Sequence, residues 1–277
     1  MTFINISAYK FVALAADRLP TLKVELKEKA VSLNILGTIL ISTEGINLFL
    51  SAPRDVIDEY EAFLETYPEF QNLPYKDSPS KTQPFTRMLV RIKKEIIAMG
   101  HDDIVPHEHT GPHLSAKDFK RWYDEGKDMV VLDTRNDYEV ELGTFKDAMD
   151  LNIESFRDFP DALDMLPEEI KEKPIITFCT GGVRCEKASE IMLRKGFKNV
   201  YQLDGGILKY FEECGGDHYE GECFVFDKRV AVNTSLEETQ TRQCYACRSP
   251  LTAEMQPKDN ICPHCHKHVD GKRANAA

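Results

Sequence analysis

The sequence has no long apolar run. A membrane-spanning helix needs about 18 consecutive apolar residues without charges, and no stretch comes near that length. Its first residues, M-T-F-I-N-I-S-A-Y-K, lack the basic start and following apolar core of a signal peptide. There is also no internal repeat and no low-complexity tract. Because eight cysteines nevertheless occur in 277 residues, we expect a reducing, cytoplasmic setting in which thiols serve metal binding or catalysis.

Length and charge indicate a multidomain protein with unevenly distributed acidity. A chain of 277 residues, 42% hydrophobic and 29% charged, is typical of two globular domains with a smaller piece. The net charge of −11 comes from residues 101–220, which hold 15 basic and 27 acidic side chains, against 12 and 12 in residues 1–100. A basic run without acids remains a candidate for RNA contact, or else a solvated strand edge. Its members are Lys81, Arg87, Arg91, Lys93 and Lys94.

The first hundred residues predict an α+β domain. Residues 3–14 are β-branched and aromatic, residues 19–34 have helical apolar spacing, and G-T-I-L-I-S with I-N-L-F-L-S forms a candidate hairpin. Pro53 opens a second helix, and Phe85–Met99 is predicted to be the closing long strand. The order β-α-β-β-α-β predicts a ferredoxin-like (acylphosphatase-like) domain over 1–100.

The middle of the chain predicts a linker followed by an α/β domain. Residues 101–113, H-D-D-I-V-P-H-E-H-T-G-P-H, are punctuated by proline and glycine, so we interpret them as a linker, although four histidines leave a metal site open. From 114 to 220, apolar strands alternate with helices, which favours a parallel sheet covered on both faces. Residues 221–270 form a C-terminal segment, and 271–277 a tail.

The segment I-I-T-F-C-T-G-G-V-R-C-E-K contains the strongest chemical signal. A buried strand ends at Phe178, and a helix follows a six-residue loop that holds Cys179 and the two glycines. The glycines allow successive N–H groups to point at one spot, and the helix N-terminus and Arg184 add positive charge. Such settings lower a cysteine pKa from about 8.5 to roughly 3.5–7.5, so Cys179 is predicted to be the catalytic nucleophile. The predicted anion- and substrate-binding loop comprises Thr180, Gly181, Gly182, Val183, Arg184 and Cys185.

These residues resemble the rhodanese domain of sulfurtransferases. Three further segments are similar to other sequence motifs of that family: V-V-L-D-T-R-N-D-Y-E-V, G-T-F-K-D-A-M-D-L and Y-Q-L-D-G-G-I. The resemblance implies that Cys179 can accept sulfur as a persulfide. Phosphatases of similar architecture have a C-x5-R loop, whereas here Arg184 comes one residue earlier, which disfavours phosphate. Cys185 is either a resolving thiol or a packing residue.

Two C-x-x-C pairs near the C-terminus predict a structural zinc site. Their spacing of 14 residues is typical of zinc knuckles, in which each pair presents two thiolates to one ion. The predicted ligands are Cys244, Cys247, Cys262 and Cys265. Four cysteines would leave no open coordination position, so we assign this site no catalytic role.

The whole chain resembles the bacterial rhodanese-domain proteins described as tRNA uridine(34) hydroxylases. The most specific marks are G-T-I-L-I-S-T-E-G-I-N, F-C-T-G-G-V-R-C-E-K-A-S and H-Y-E-G-E-C-F-V-F-D-K-R-V-A-V. The resemblance implies a tRNA partner, molecular oxygen as co-substrate and formation of 5-hydroxyuridine at the wobble position. It also identifies Cys179 as the catalytic cysteine. The sequence contains no flavin or nicotinamide motif and does not identify an electron or sulfur donor.

Two other functions compete with hydroxylation. A sulfurtransferase would pass sulfane sulfur through a Cys179 persulfide, and a non-enzymatic protein would use the rhodanese fold only to bind partners. The intact Cys-Gly-Gly-Arg loop disfavours the latter. The oxidant, the set of tRNAs, accessory proteins and the oligomeric state are not encoded in any pattern that we can identify.

Overall fold

The structure, a computed structural model, describes residues 2–257 and 259–270. The N-terminal unit is one five-stranded sheet with two helices on one face, with strand order β4-β1-β3-β2-β5. Its elements are β1 (Phe3–Phe11), α1 (Leu19–Ser32), β2 (Leu36–Ser42), β3 (Gly45–Ala52), α2 (Arg54–Leu64), β4 (Lys76–Ser80) and β5 (Met88–Ile92). The first four strands have the ferredoxin-like order, so the predicted fold class is confirmed here.

The closing strand is a different segment from the predicted one. β4, with the sequence K-D-S-P-S, pairs antiparallel with β1, whereas β5 is an extra strand that lies parallel to β2 at the opposite edge. The predicted long strand Phe85–Met99 is therefore wrong, because only Met88–Ile92 is paired. β4 tolerates Pro79 because it is an edge strand, where a missing N–H costs no sheet hydrogen bond.

The N-terminal sheet is buried on both faces. α1 contributes Leu22 and Leu26, and α2 contributes Ile57 and Tyr60, to the core on one side. Along the central strand β3 nearly every residue is buried, so its second face must also be covered. That second face carries polar and aromatic side chains, and it faces the next unit of the chain.

The second unit is a four-stranded parallel sheet of order β6-β10-β9-β7, as the alternating pattern predicts. Helices α3 and α7 pack with Phe119 and Tyr210 on one face, and α5 and α6 pack with Phe159 and Met192 on the other. Its elements are β6 (His113–Leu114), α3 (Ala116–Asp124), β7 (Val130–Asp133), α4 (Asp137–Val140), β8 (Gly143–Phe145), α5 (Phe159–Ala162), β9 (Pro174–Phe178), α6 (Val183–Arg194), β10 (Asn199–Leu203) and α7 (Gly206–Cys214).

The chain between β5 and β6 runs along the second unit. Ile96, Met99 and Ile104 are buried, and Gly111 fits so closely that a Cβ there would lie 2.7 Å from the Cβ of Ser189. The histidines of this segment form no ligand group among the described residues.

The C-terminal segment consists of short antiparallel pairs. β11 (Tyr219–Gly221) pairs with β8, β12 (Cys223–Phe224) with β13 (Ala231–Val232), and β14 (Arg242–Gln243) with β15 (Pro250–Leu251). The predicted tail, 271–277, lies outside the described residues. No helix among those that the structure describes has the length and apolar character to cross a membrane.

Candidate active site

Cys179 lies directly after β9, at the carboxyl end of the parallel sheet, where the chain curls into α6. Gly182 has a φ of 97° and immediately precedes the helix, a conformation that L side chains rarely adopt. Its backbone N–H donates to Cys179 Sγ at 3.1 Å. The sulfur therefore lies in a nest of backbone amides at the positive end of a helix.

The N-terminus of α7 holds the loop in this orientation. The N–H of Ile207 donates to the carbonyl oxygen of Cys179, and that of Leu208 donates to the carbonyl oxygen of Thr180, both at 3.0 Å. Gly206 allows this approach, since a Cβ there would lie 2.4 Å from the Cys179 carbonyl oxygen. The carbonyl groups of Cys179 and Thr180 are thus bound by α7, on the side of the loop away from the nest.

Cys179 and Cys185 have pKa shifts of opposite sign. Burial by itself raises the pKa of Cys179, but a hydrogen bond from Cys185, the charge of Arg184 and backbone N–H groups lower it to about 6. Burial and the contact with Cys179 raise the pKa of Cys185 well above its usual value. At neutral pH, Cys179 is therefore a thiolate and Cys185 a neutral donor. A resolving role for Cys185 stays a prediction.

Arg184 has a buried partner that the sequence reasoning missed. Its two terminal nitrogens each lie 2.7 Å from an oxygen of Glu139, in a bidentate ion pair. The N–H of Asn136 donates to Glu139 at 3.2 Å. The motif D-T-R-N-D-Y-E contained the signal, because its last acid lies on α4 beside the loop, and its Asp133 similarly binds Arg135.

A cavity of about 410 Å³ lies between the loop and the second face of the N-terminal sheet. Its volume falls within the range of small-molecule sites, about 300–1,000 Å³. The second unit supplies the reactive end, and the first unit supplies the opposite wall. The lining residues used below are Tyr9, Asn47, Lys76, Glu139, Cys179, Thr180, Arg184 and Phe226.

The opposite wall contains polar groups that the sequence reasoning also missed. The Tyr9 hydroxyl donates to Glu186 at 3.0 Å, and Asn47 donates to the Ile96 carbonyl at 3.1 Å. Lys76 is buried at the start of β4. These residues are remote from Cys179 in sequence, so no local pattern could assign them to its cavity.

Buried polar contacts fix the two units against each other. Lys187 on α6 lies 2.8 Å from both Glu44 and Glu95 of the N-terminal part of the chain. Arg229 in the C-terminal segment donates to Ser78 at 2.8 Å. Because these charges are buried and paired, the wall of the cavity is held in place beside Cys179.

Comparisons with known proteins cover the whole molecule. Three family models match in succession: a UPF0176 acylphosphatase-like domain over residues 3–96, a rhodanese-like domain over 115–213 and a rhodanase C-terminal region over 220–273. A protein of Cupriavidus taiwanensis named tRNA uridine(34) hydroxylase is 48% identical over 287 residues, covering 100% of both chains. This chain belongs to the tRNA uridine(34) hydroxylase family.

A second member of the hydroxylase family, from Cupriavidus pinatubonensis, is 48% identical and covers 96% of this chain and 97% of that protein. Among solved structures, the rhodanese-like domain of an Anabaena protein is 24% identical, with a TM-score of 0.34, and covers 40% of this chain and 79% of that one. Family membership thus rests on the full-length relatives.

The RNA-binding candidates are all exposed in this hydroxylase-family chain, but they differ in their neighbours. Arg91 lies opposite Leu40 of β2, which lines the cavity, and Arg87 directly precedes β5; both side chains are exposed. Lys94 forms an exposed ion pair with Asp102 at 2.7 Å. Lys81 and Lys93 are exposed beyond the ends of β4 and β5.

A groove of about 630 Å³ meets the cavity at Thr38, Tyr138 and Phe226. It is lined by basic side chains from three parts of the chain, Arg87, Lys228 and Arg248. Within the described residues, none of the three basic side chains forms an ion pair. Phe226 is 45% exposed at the junction, and it was not among the predicted residues.

The four predicted metal ligands converge. Their sulfur atoms all lie within 4.8 Å of one another, and Cys244–Cys265 and Cys247–Cys262 are 3.8 and 3.7 Å apart. A tetrahedral zinc ion with Zn–S bonds of about 2.3 Å requires sulfurs about 3.8 Å apart. The donor set and its spacing therefore fit zinc.

Proposed function

We propose that this protein is a tRNA-modifying enzyme that hydroxylates C5 of the wobble uridine, at position 34, using molecular oxygen and Cys179. The observation that carries the proposal is the Cys179 thiolate in a cavity of about 410 Å³, large enough to hold a nucleobase, between two fixed units, in a chain of this family. The homologues' names supply the substrate and reaction, and the cavity supplies a place for the base.

The wobble base enters the cavity out of the anticodon stack. Enzymes that modify a base must reach its reacting atom, and they do so by flipping the base into a pocket. Cys179 has almost no exposed surface, so only a group inside the cavity can meet its sulfur. The wobble uridine is in a single-stranded loop, where the cost of unstacking is low.

Cys179 acts as a nucleophile toward C6 of the uracil ring. The S–C6 bond forms as the C5=C6 π bond breaks, and the electron pair moves through C5 onto O4 as an enolate. The electron-rich C5 then attacks oxygen. One oxygen atom stays on C5, and the other leaves as water after accepting two electrons and two protons from a dithiol reductant, which becomes a disulfide. Loss of the C5 proton and of the thiolate restores the C5=C6 double bond.

The neighbouring residues prepare the thiolate and control its release. Cys185 donates to the sulfur, and Arg184 adds charge that Glu139 holds in position. A thiolate with a pKa of about 6 is ionised at neutral pH and is also a good leaving group. The same environment therefore favours addition at the start of the reaction and elimination at its end.

The anticodon loop lies along the basic groove that meets the cavity. Arg87, Lys228 and Arg248 are positioned to bind phosphates, and Phe226 can stack on a base next to the flipped uridine. Among the other candidates, Arg91 extends the same face, while Lys81, Lys93 and Lys94 contribute long-range attraction. A tRNA at this position touches all three parts of the chain.

Zinc, held by Cys244, Cys247, Cys262 and Cys265, has a structural role. The segment around these residues buries few apolar side chains, chiefly Leu251 and Val269, so it needs the metal to order it. Ordering this segment positions Arg248 in the basic groove.

The direct test is nucleoside mass spectrometry of tRNA from cells that lack the protein. We expect 5-hydroxyuridine and its derivatives to disappear from the wobble position and to return with wild type but not with Cys179→Ala. If the deletion leaves wobble hydroxyuridine unchanged and no second route supplies it, the proposed function is wrong.

One observation favours a sulfurtransferase as the second candidate. The Gly182 N–H, 3.1 Å from Cys179 Sγ, would bind the terminal sulfur of a persulfide as well as a thiolate. A sulfurtransferase would release thiocyanate from thiosulfate and cyanide and would lose that activity in Cys179→Ser. Because both functions need Cys179, the deletion separates them: a protein that is only a sulfurtransferase leaves wobble hydroxyuridine unchanged when it is deleted.

A further inference from the structure

Lys76 is a buried cation in the wall of the Cys179 cavity. It is the first residue of the edge strand β4, it is 5% exposed, and it lines the cavity. Its Nζ lies 5.0 Å from the centre of the Tyr9 ring and donates to the Pro74 carbonyl at 3.3 Å. Gly205 of the second unit packs against the alkyl chain of Lys76 and shields that part of the side chain from water.

The hydrogen-bonding capacity of Lys76 is largely unused. An ammonium has three N–H donors, yet within the described residues it has one hydrogen-bond acceptor and no ion pair. The charged groups around it are Cys179, Asp204, Glu186 and Lys209, from the loop, the end of β10, α6 and α7. Buried cations normally have full sets of partners, because desolvation is costly. The unused donors can therefore serve a ligand in the cavity.

We propose that Lys76 is a catalytic residue that donates a hydrogen bond to O4 of the uracil and neutralises the enolate formed when Cys179 adds to C6. This inference rests on the proposed function. Addition moves an electron pair from the C5=C6 bond onto O4, so a fixed positive charge there lowers the barrier. The charge leaves O4 when C5 attacks oxygen, returns when the C5 proton is lost, and leaves again when the S–C6 bond breaks, so Lys76 assists both the addition and the elimination.

The role of Lys76 requires its protonated form. Burial lowers its pKa to about 8, although Cys179, Asp204 and Glu186 act in the opposite direction. Below a pH of about 8 Lys76 is charged, and above it the charge is lost. The rate should therefore rise as Cys179 ionises near pH 6 and fall as Lys76 loses its proton, which gives a bell-shaped profile.

The main test compares Lys76→Met with Lys209→Met in single-turnover hydroxylation of purified tRNA, with oxygen and a dithiol reductant supplied. Lys209 lies nearby on α7 but pairs with Glu212 and Glu213 and does not line the cavity. We expect Lys76→Met to lower the rate about 100-fold, as the loss of an oxyanion donor does. Lys209→Met should leave it within about twofold, because surface charges act weakly. Binding of tRNA should be unchanged in both variants.

Thermal melting separates a catalytic role from a structural one. Lys76→Met removes a buried charge with few partners, so its melting temperature should equal or exceed that of wild type. A structural lysine would instead give a lower melting temperature together with lower activity. If Lys76→Met does not fold, Lys76→Gln replaces it, since the amide still donates but does not titrate. In that variant the alkaline fall in rate should vanish.

The outcomes for Lys76 and for the proposed function are distinct. If wild type forms no hydroxyuridine, the proposed function fails. If wild type is active and Lys76→Met keeps its rate, or if Lys76→Gln keeps the alkaline fall, the role of Lys76 is overturned while the function stands. A loss of about 100-fold with intact melting and tRNA binding supports it.

Discussion

Glu139 and Arg184 form a bidentate ion pair beside the reactive sulfur, with both nitrogen–oxygen distances at 2.7 Å. Both side chains are buried, with exposed fractions of 0% and 5%. Glu139 therefore limits the positive charge that Cys179 experiences and also fixes the position of the guanidinium. The thiolate is stabilised by several moderate contributions that depend on accurate placement.

We expect Glu139→Gln to destabilise the protein, because it leaves Arg184 buried without a counter-charge. The free energy of unfolding should fall by about 3–5 kcal/mol, measured by urea denaturation. The freed positive charge should also lower the Cys179 pKa further. Glu141→Gln, at an exposed position of the same region, is the matched control. Equal stability of both variants would mean that the ion pair is unimportant.

The Cys185 thiol is expected to maintain the low pKa of Cys179. In Cys185→Ala the hydrogen bond to the sulfur is removed, so the Cys179 pKa should rise from about 6 toward its usual value. The pH dependence of iodoacetamide alkylation, followed on the Cys179 peptide by mass spectrometry, measures this. Cys223→Ala removes another buried thiol, one whose pKa burial raises to about 12, and should leave the midpoint unchanged. A midpoint that does not move in Cys185→Ala would contradict the assigned donor role.

The basic groove predicts a specific salt dependence of tRNA binding. Neutralising Arg87, Lys228 and Arg248 together should reduce the slope of log affinity against log salt by about 0.7–0.9 for each phosphate that these side chains no longer neutralise. A matched triple variant replaces Lys171, Lys173 and Lys198, which lie near the amino-terminal ends of β9 and β10, away from Cys179. The first variant should bind tRNA more weakly and the second should not. Equal weakening in both would indicate non-specific attraction.

The four-cysteine site predicts one zinc ion per chain. Chelation, or Cys247→Ser, should remove the metal and make residues 242–270 sensitive to protease, because zinc contributes on the order of 10–16 kcal/mol to such modules. The melting of the parallel-sheet unit should change little. Elemental analysis gives the zinc content, with Cys214→Ser as the control. A chain that contains no zinc when purified without chelator, yet resists protease, would refute the site.

The reactive loop and the convergence of the four cysteines could be predicted from the sequence because their patterns are local. Cys179, its glycines and Arg184 lie within six consecutive residues, and each cysteine pair closes its own turn. The identity of β4 and the composition of the cavity wall depend on contacts between residues that are far apart in the sequence. β4 lacks the apolar and β-branched residues of a usual strand, and it is held by the register of Lys76–Ser80 against β1. Since Lys76 joins Cys179 only through domain packing, no spacing in the sequence could reveal it.

The central claim is that Cys179 directs oxygen from O₂ to C5 of the wobble uridine. The most direct measurement grows deletion cells carrying wild type or Cys179→Ala under oxygen-18 gas and analyses wobble nucleosides by mass spectrometry. We expect labelled 5-hydroxyuridine with wild type and none with Cys179→Ala. Unlabelled hydroxyuridine with wild type, or labelled hydroxyuridine with the variant, would contradict the account.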